Sequence, residues 1–280
     1  MGAITEAFDG LIEKAAEAIP IREGDYYKDG LLYCHKCNTP KQCRINVLGE
    51  IKTPMCLCKC EAERVETEEQ ERKRKEAADK ARALRQAGFP DAEMERWRFD
   101  ADDHTNEKAS GIAHRYAEKF SEMLKRGKGL LFYGTVGTGK SFLAACITND
   151  LIDRGYPCLM TNFARLTNTL QGMREGRQEY LDGLSQYALL VIDDLAAERD
   201  TPYMQECVTN VIDARYRSGL PLIVTTNLTP EELKHPAEMS RKRIHSRLLE
   251  MCVPVEIKGS DRRRAKAKQE WTDVKEMLGL

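Results

Sequence analysis

The sequence predicts an α/β protein: a parallel sheet flanked by helices, preceded by a small cysteine-held domain and a charged helical linker. Three observations predict it. Six of the cysteines crowd between Cys34 and Cys60; charge replaces apolar periodicity from residue 61 to 85; beyond residue 130, short apolar runs alternate with helical patterns. A chain of 280 residues holds one sizeable core and a smaller module. A net charge of -1 rules out a globally basic nucleic-acid binder, so any such contact must be local. No run approaches the roughly eighteen apolar residues that span a bilayer. Residues 1–20 are charged rather than signal-like, so a cytoplasmic protein without membrane partners is expected.

The first segment, Met1 to Ile19, reads as a short helix with Ala7, Leu11, Ala15 and Ala18 on one side. Tyr26 to Cys60 follows as a module with Cys34-His35-Lys36-Cys37 as one knuckle and Cys56-Leu57-Cys58-Lys59-Cys60 opposite. Between them, Gln42 to Leu48 and Ile51 to Thr53 form two strands about a Gly49-Glu50 turn. Four thiolates at this spacing hold Zn²⁺ tetrahedrally, and so small a module lacks the core to fold without the metal. A hairpin symmetric about Gly49 sets Cys37 opposite Cys60. That favours Cys34, Cys37, Cys58 and Cys60 as ligands, with Cys56 as the substitute, Cys43 a bystander and His35 facing solvent.

From Glu61 to Arg85, eight acids and eight bases cancel, and Glu68/Arg72, Glu69/Lys73, Glu71/Lys75 and Glu76/Lys80 fall four apart with the acid first. With almost no apolar stripe, this is a solvated connector helix, ended by Gly88-Phe89-Pro90. Trp97 and Phe99 come next, near where a nucleotide base would sit, and read as core aromatics ahead of base stacking; a helix follows from about Glu107 to Lys125 that Gly127 stops.

Leu130 to Tyr133 is then a buried strand, and it leads into Gly134-Thr135-Val136-Gly137-Thr138-Gly139-Lys140-Ser141. That run matches G-x-x-x-x-G-K-[ST], in which backbone N–H groups cradle nucleotide phosphates, Lys reaches the β/γ-phosphates and the hydroxyl ligates Mg²⁺. Phe142 to Asp153 continues as a helix stopped by Gly155. Strands at 158–161, 188–192 and 222–226 alternate with helices at 163–170, 179–186 and 202–217, which means a parallel sheet with ligands at its carboxyl edge.

At that edge the chemistry collects. Asp193 ends an apolar strand, where a carboxylate holds Mg²⁺ beside Ser141. Asp194 next to it can orient a water for attack on the γ-phosphate, or serve only as a turn former. Asn227 ends the following strand and can bond the γ-phosphate or that water. Residues 241–249 read as a helix with Arg243 and Arg247 on one face: a donor of arginine to a neighbour's γ-phosphate, a solvated basic helix, or a DNA-backbone contact. Arg262-Arg263-Arg264, with Lys266 and Lys268, is a basic patch for nucleotide or DNA phosphate.

Together these segments resemble the DnaC-type replicative-helicase loaders, a branch of the AAA+ P-loop NTPases that includes the IstB-type transposition helpers. The likeness rests on residues 134–141, Leu189 to Leu195, Ile223 to Asn227 and Arg243 to Leu248, and it covers the chain from about Gly88. It implies sensor 1 at Asn227, an arginine finger at Arg247, and sensor 2 at Arg262 or Arg263. It implies ATP and ADP as ligands, self-association through ATP sites at subunit interfaces, and single-stranded DNA and a hexameric replicative helicase as partners in a bacterial or phage-infected cell. Asp-Asp stands where AAA+ enzymes more usually have Asp-Glu, so slow, switch-like hydrolysis is expected; little room is left for a helical lid. The resulting division is a helix and zinc-binding docking module at 1–60, a linker at 61–87 and an ATPase domain at 88–280. An IstB-like transposition helper is the alternative, then a P-loop small-molecule kinase or a non-hydrolysing scaffold.

Overall fold

The computed structural model describes residues 19–47, 49–103, 105–195, 201–236 and 239–279. The helix expected over Met1 to Ile19 lies almost entirely outside them. The chain divides into two compact units, residues 1–76 and 77–280.

The first unit contains two antiparallel hairpins, β1 (Tyr26–Lys28) with β2 (Leu31–Tyr33) and β3 (Ile45–Val47) with β4 (Glu50–Lys52). The first hairpin was not anticipated, although its turn carries the Asp-Gly signal: Asp29 and Gly30 have φ of 51° and 73°, the double left-handed conformation of a type I′ turn. In the second hairpin Val47 pairs with Glu50. Glu50 therefore starts the return strand instead of sitting in the turn, a correction to the Gly49-Glu50 expectation. The same register extends outward to a Gln42–Met55 bridge. Among its described residues apolar burial is sparse, with Leu32 and the thiols of Cys34 and Cys58 the most enclosed. Lys41 and Asp25 are buried together, ammonium on carboxylate at 2.6 Å.

Helix α1 (Lys59–Gly88) is one continuous element of 30 residues. Its middle is exposed, as the absence of an apolar stripe predicts. The ion pairs differ in part from the expected set: Lys73 holds Glu69 at 2.7 Å, but Glu68 is taken by Arg64 and Glu76 by Arg72, each with the base first.

The second unit is built on five parallel strands in the order β6-β7-β8-β5-β9, where β5 is Gly129–Tyr133, β6 Cys158–Asn162, β7 Leu189–Leu195, β8 Leu222–Thr226 and β9 Cys252–Glu256. Period-two alternation splits its core. Leu130, Phe132, Met160, Val191 and Ile223 face one way, while Leu131, Leu190, Ile192 and Val224 face the other. Against the first face pack α2 (Glu107–Glu118), α3 (Phe120–Arg126) and α4 (Lys140–Asp153). Against the second lie α5 (Phe163–Gly172), α6 (Arg177–Gly183), α7 (Pro202–Ser218), the short α8 (Pro230–Lys234) and α9 (Met239–Met251). A final helix, α10, covers Arg262–Leu278.

The single helix expected from Glu107 to Lys125 is broken at Lys119, whose φ and ψ of -92° and 18° leave the helical region. β7 runs three residues past Ile192, through a register shift described below. β9 and the two helices α8 and α10 were not read from the sequence. Edge strand β9 carries Pro254, which obscures it, while α8 announces itself only through the Thr229/Glu232 capping box. Arg215 is only 2% exposed, and its guanidinium donates to the carbonyls of Leu184, Tyr187, Ala188 and Pro221 at 2.7–3.3 Å. It thereby ties α7 to the turns entering β7 and β8.

Candidate nucleotide site and cysteine cluster

Strand β5 delivers the chain into the glycine loop at the carboxyl edge of the sheet. Gly137 has φ of 78°, and a Cβ there would run into the Asp261 carboxylate, so both conformation and space demand glycine. Lys140 opens α4, where unpaired helix N–H groups and the dipole favour an anion. Its ammonium, on a residue only 5% exposed, donates to Gly134 O at 3.0 Å, Thr135 O at 2.8 Å and Asn227 Oδ1 at 2.8 Å. Two sequence motifs 87 residues apart thus meet at one nitrogen.

The loop borders a cleft of about 360 Å³, lined by Trp97, residues 136–142, Asp194, Asn227 and Arg262. Asp193 is not among the lining residues. It accepts from Thr225 Oγ1 at 2.6 Å; burial raises its pKa, while the Thr225 and Ser141 hydroxyls pull the other way. The Ser141–Asp193 pairing is the donor set that suits a hard divalent cation.

Arg262 comes from beyond β9. Its backbone N–H donates to Gly137 O at 3.0 Å, its guanidinium lies against Gly139, and it pairs with Asp103 at 3.1 Å. The Arg263 side chain lies outside the described residues. Arg247 is elsewhere: it lines no part of the cleft. Its guanidinium pairs with Asp213 of α7 and sits 5.0 Å over the Tyr216 ring, and Arg243 approaches the same carboxylate at 3.6 Å.

Trp97 is the residue that sequence reading underrated. It packs beside Phe142, with ring centroids 6.0 Å apart, but also forms one wall of the cleft. Buried Asn149 holds it there, donating to the carbonyls of Met94 and Trp97 at 3.0 and 2.9 Å. Phe99 stacks instead on His114. Aromatic character alone does not distinguish the two.

In the first unit the sulfurs of Cys34, Cys37, Cys58 and Cys60 all lie within 4.8 Å of one another, with Cys34–Cys60 at 3.7 Å and Cys58–Cys60 at 3.5 Å. Four thiolates about 2.3 Å from a zinc ion stand close to such spacings, so the donor set fits. The thiols are unlike one another: Cys60 is pushed up to about 12 by its bond with Cys58, whereas the Thr39 hydroxyl brings Cys37 down to about 5. Cys56 lies outside the cluster, its sulfur 3.8 Å from Pro40 O, and so does Cys43. His35 is part-exposed and bonds Asp25 at 3.1 Å.

A glycine loop at the carboxyl edge of this parallel sheet, with paired acids and an asparagine on the neighbouring strands, defines an AAA+ P-loop ATPase domain. The chain belongs to the family described as IstB-like ATP binding protein, whose model matches residues 62–270. Among curated proteins it is 32% identical over 152 residues to the replicative helicase loader DnaI of Bacillus subtilis (strain 168), covering 49% of this chain and 48% of that protein. To the replicative helicase loader DnaC of Escherichia coli (strain K12) it is 29% identical over 144 residues, covering 50% and 57%. The matched stretch thus spans about half the length of each relative. A crystal structure of DnaI superposes with a TM-score of 0.53 at 27% identity, covering 64% of this chain and 98% of that one. One of the DnaC helicase loader gives 0.52 at 22% identity, with 60% and 100% covered, a likeness of fold. Among the described residues no helix is long and apolar enough to cross a membrane.

Proposed function

We propose that this chain is an ATP-switched loader of a hexameric replicative DNA helicase, acting on single-stranded DNA in the bacterial cytoplasm. Residues 88–280 bind and hydrolyse ATP, residues 1–60 dock the helicase, and residues 61–87 connect them. Lys140 and the loop N–H groups hold the phosphates, and Ser141 and Asp193 hold Mg²⁺. Asp194 orients water, Asn227 reports the γ-phosphate, and Arg262, with Arg263 the alternative, reads the nucleotide in cis. Cys34, Cys37, Cys58 and Cys60 hold a structural zinc ion.

The observation that carries this reading is the division of the polar groups: Lys140, Asn227, Asp194 and Arg262 converge on one cleft, while Arg247 lines none of it. Arg247, held by Asp213 and the Tyr216 ring away from its own cleft, serves a neighbour's cleft once that carboxylate releases it, and such a finger contributes about 10³- to 10⁵-fold to turnover. Self-association then completes the site. The helicase as partner is supported by what DnaI and DnaC are named for. The family's own description favours a second reading, an IstB-like transposition helper.

Mixing tests the assembly. Lys140→Ala and Arg247→Ala chains are each expected to be inactive alone and to recover part of the ATPase activity together. Arg247→Ala active by itself, or no recovery on mixing, contradicts a finger in trans. Capture of a hexameric helicase by residues 1–60 in the intact chain, abolished by Cys58→Ser, supports the loader; capture of a transposase instead overturns it for the helper.

A further inference from the structure

The two acids of the site do not sit on a regular strand. β7 pairs Ile192 with Val224 and Leu195 with Thr226, so Asp193 and Asp194 together oppose the single residue Thr225. This is a β-bulge, the device that re-aims a side chain beside a site. Asp194 is its strained member, with φ of 57°, a left-handed conformation uncommon for a residue other than glycine.

Thr225 faces both acids and is fully buried. Its hydroxyl accepts the Asp194 N–H at 2.9 Å and donates its one proton to Asp193 Oδ1 at 2.6 Å. A hydroxyl has one donor and two acceptor sites, and here the donor and one acceptor are committed to neighbouring acids. Thr226 pins the far side, donating to Leu195 O at 2.9 Å. Valine would fill the same volume and supply neither bond. The Asp194 N–H would then lose its partner across the sheet, and Asp193 would keep Ser141 but lose the Thr225 donor.

We propose that Thr225 is a positioning residue of the nucleotide site: its hydroxyl holds the bulge that sets Asp193 toward Ser141 and Asp194 toward the cleft. The inference rests on the site assigned above. Asn227, just past the end of β8, touches the Lys140 ammonium directly, whereas Thr225, two residues earlier, acts only through the acids.

The test uses the full chain with Thr225→Val and Thr225→Ser, read by ATP turnover and by binding of a fluorescent ADP analogue with and without Mg²⁺. In Thr225→Val the gain in ADP affinity brought by Mg²⁺ is expected to fall at least about tenfold, as when a partner of a metal ligand is removed. Turnover is expected to drop about 10²-fold at little change in KM, as for a misplaced catalytic group. Metal-free ADP affinity should stay within about twofold, because Lys140 and the loop are untouched. Thr225→Ser should restore both losses. A Val variant with the Mg²⁺ gain and turnover of the parent overturns the proposal, and so does a Ser variant as impaired as Val. If Thr225→Val does not fold, Thr225→Ser against Thr225→Ala provides the same contrast, and equal values overturn it. A parent chain that binds Mg-ADP but never turns over ATP removes the hydrolase reading alone, because the binding arm still decides the role of Thr225.

Discussion

The two units of this chain bury their polar groups by opposite means. In the sheet unit, two apolar layers enclose the strands, and the buried guanidinium of Arg215 is satisfied by carbonyls alone. Among the described residues of the cysteine unit few apolar side chains are buried, and what converges instead is four sulfurs and the Asp25–Lys41 pair. A parallel sheet makes its own interior, whereas two short hairpins alone do not. That contrast sets what each unit is expected to need.

Chelation breaks this contrast most sharply. Structural zinc contributes on the order of 10 kcal/mol to folding of small modules. A strong chelator, or Cys58→Ser, is expected to unfold the cysteine unit, seen as loss of hydrogen-exchange protection at β1 to β4. The same sample should keep its affinity for ATP. Lys140→Ala should do the converse, losing about 10²-fold or more in ATP affinity, consistent with removal of a charge-assisted phosphate contact, while retaining one equivalent of zinc by elemental analysis. Loss of both properties in either experiment means the units are not energetically separate.

How much of this was legible beforehand follows the same contrast. Signals that repeat or have fixed spacing survived: the alternation of strand and helix, the glycine loop, and the four cysteines that symmetry about the hairpin selected. Features set by partners distant in sequence did not. Nothing local to Trp97 marks it as a cleft wall, because Asn149, 52 residues away, holds it there. The bulge at Asp194 likewise depends on Thr225 across the sheet, and strand β9 on its pairing with β5. The hairpin β1–β2 carries only the two-residue Asp29-Gly30 signal, set beside the longer cysteine pattern.

Arg215 sharpens the comparison at smaller amplitude. Burial brings its pKa down to about 10, still charged at neutral pH. Arg215→Met would preserve apolar packing but leave the carbonyls of Leu184, Tyr187, Ala188 and Pro221 without this donor. At about 1–3 kcal/mol for an unsatisfied buried group, partly relieved by water, a loss of about 3 kcal/mol is expected in denaturant unfolding of the sheet unit. Zinc retention should not change. A variant as stable as the parent would mean that these carbonyls find water, and that the sheet unit tolerates polar loss better than its burial suggests.

The smallest expected effect is a pH dependence that belongs to the sheet unit. His245 on α9 is 6% exposed, and its Nδ1 lies 3.1 Å from Leu233 O, joining α9 to α8. Burial, the leading cause, lowers its pKa from the ordinary value of 6.5. The folded state therefore holds this ring neutral at a pH where the unfolded chain has begun to bind a proton. The sign follows: stability is full above about pH 6.5 and declines as pH falls toward the lower folded value, since the unfolded state then binds more protons. His245→Asn keeps an N–H donor for Leu233 O and cannot titrate, so its unfolding midpoint should be flatter than the parent's as pH falls below about 6.5, with zinc-loaded protein used throughout. Parallel curves for parent and variant would assign any acid sensitivity to the cysteine unit, where protonation competes with the metal for sulfur.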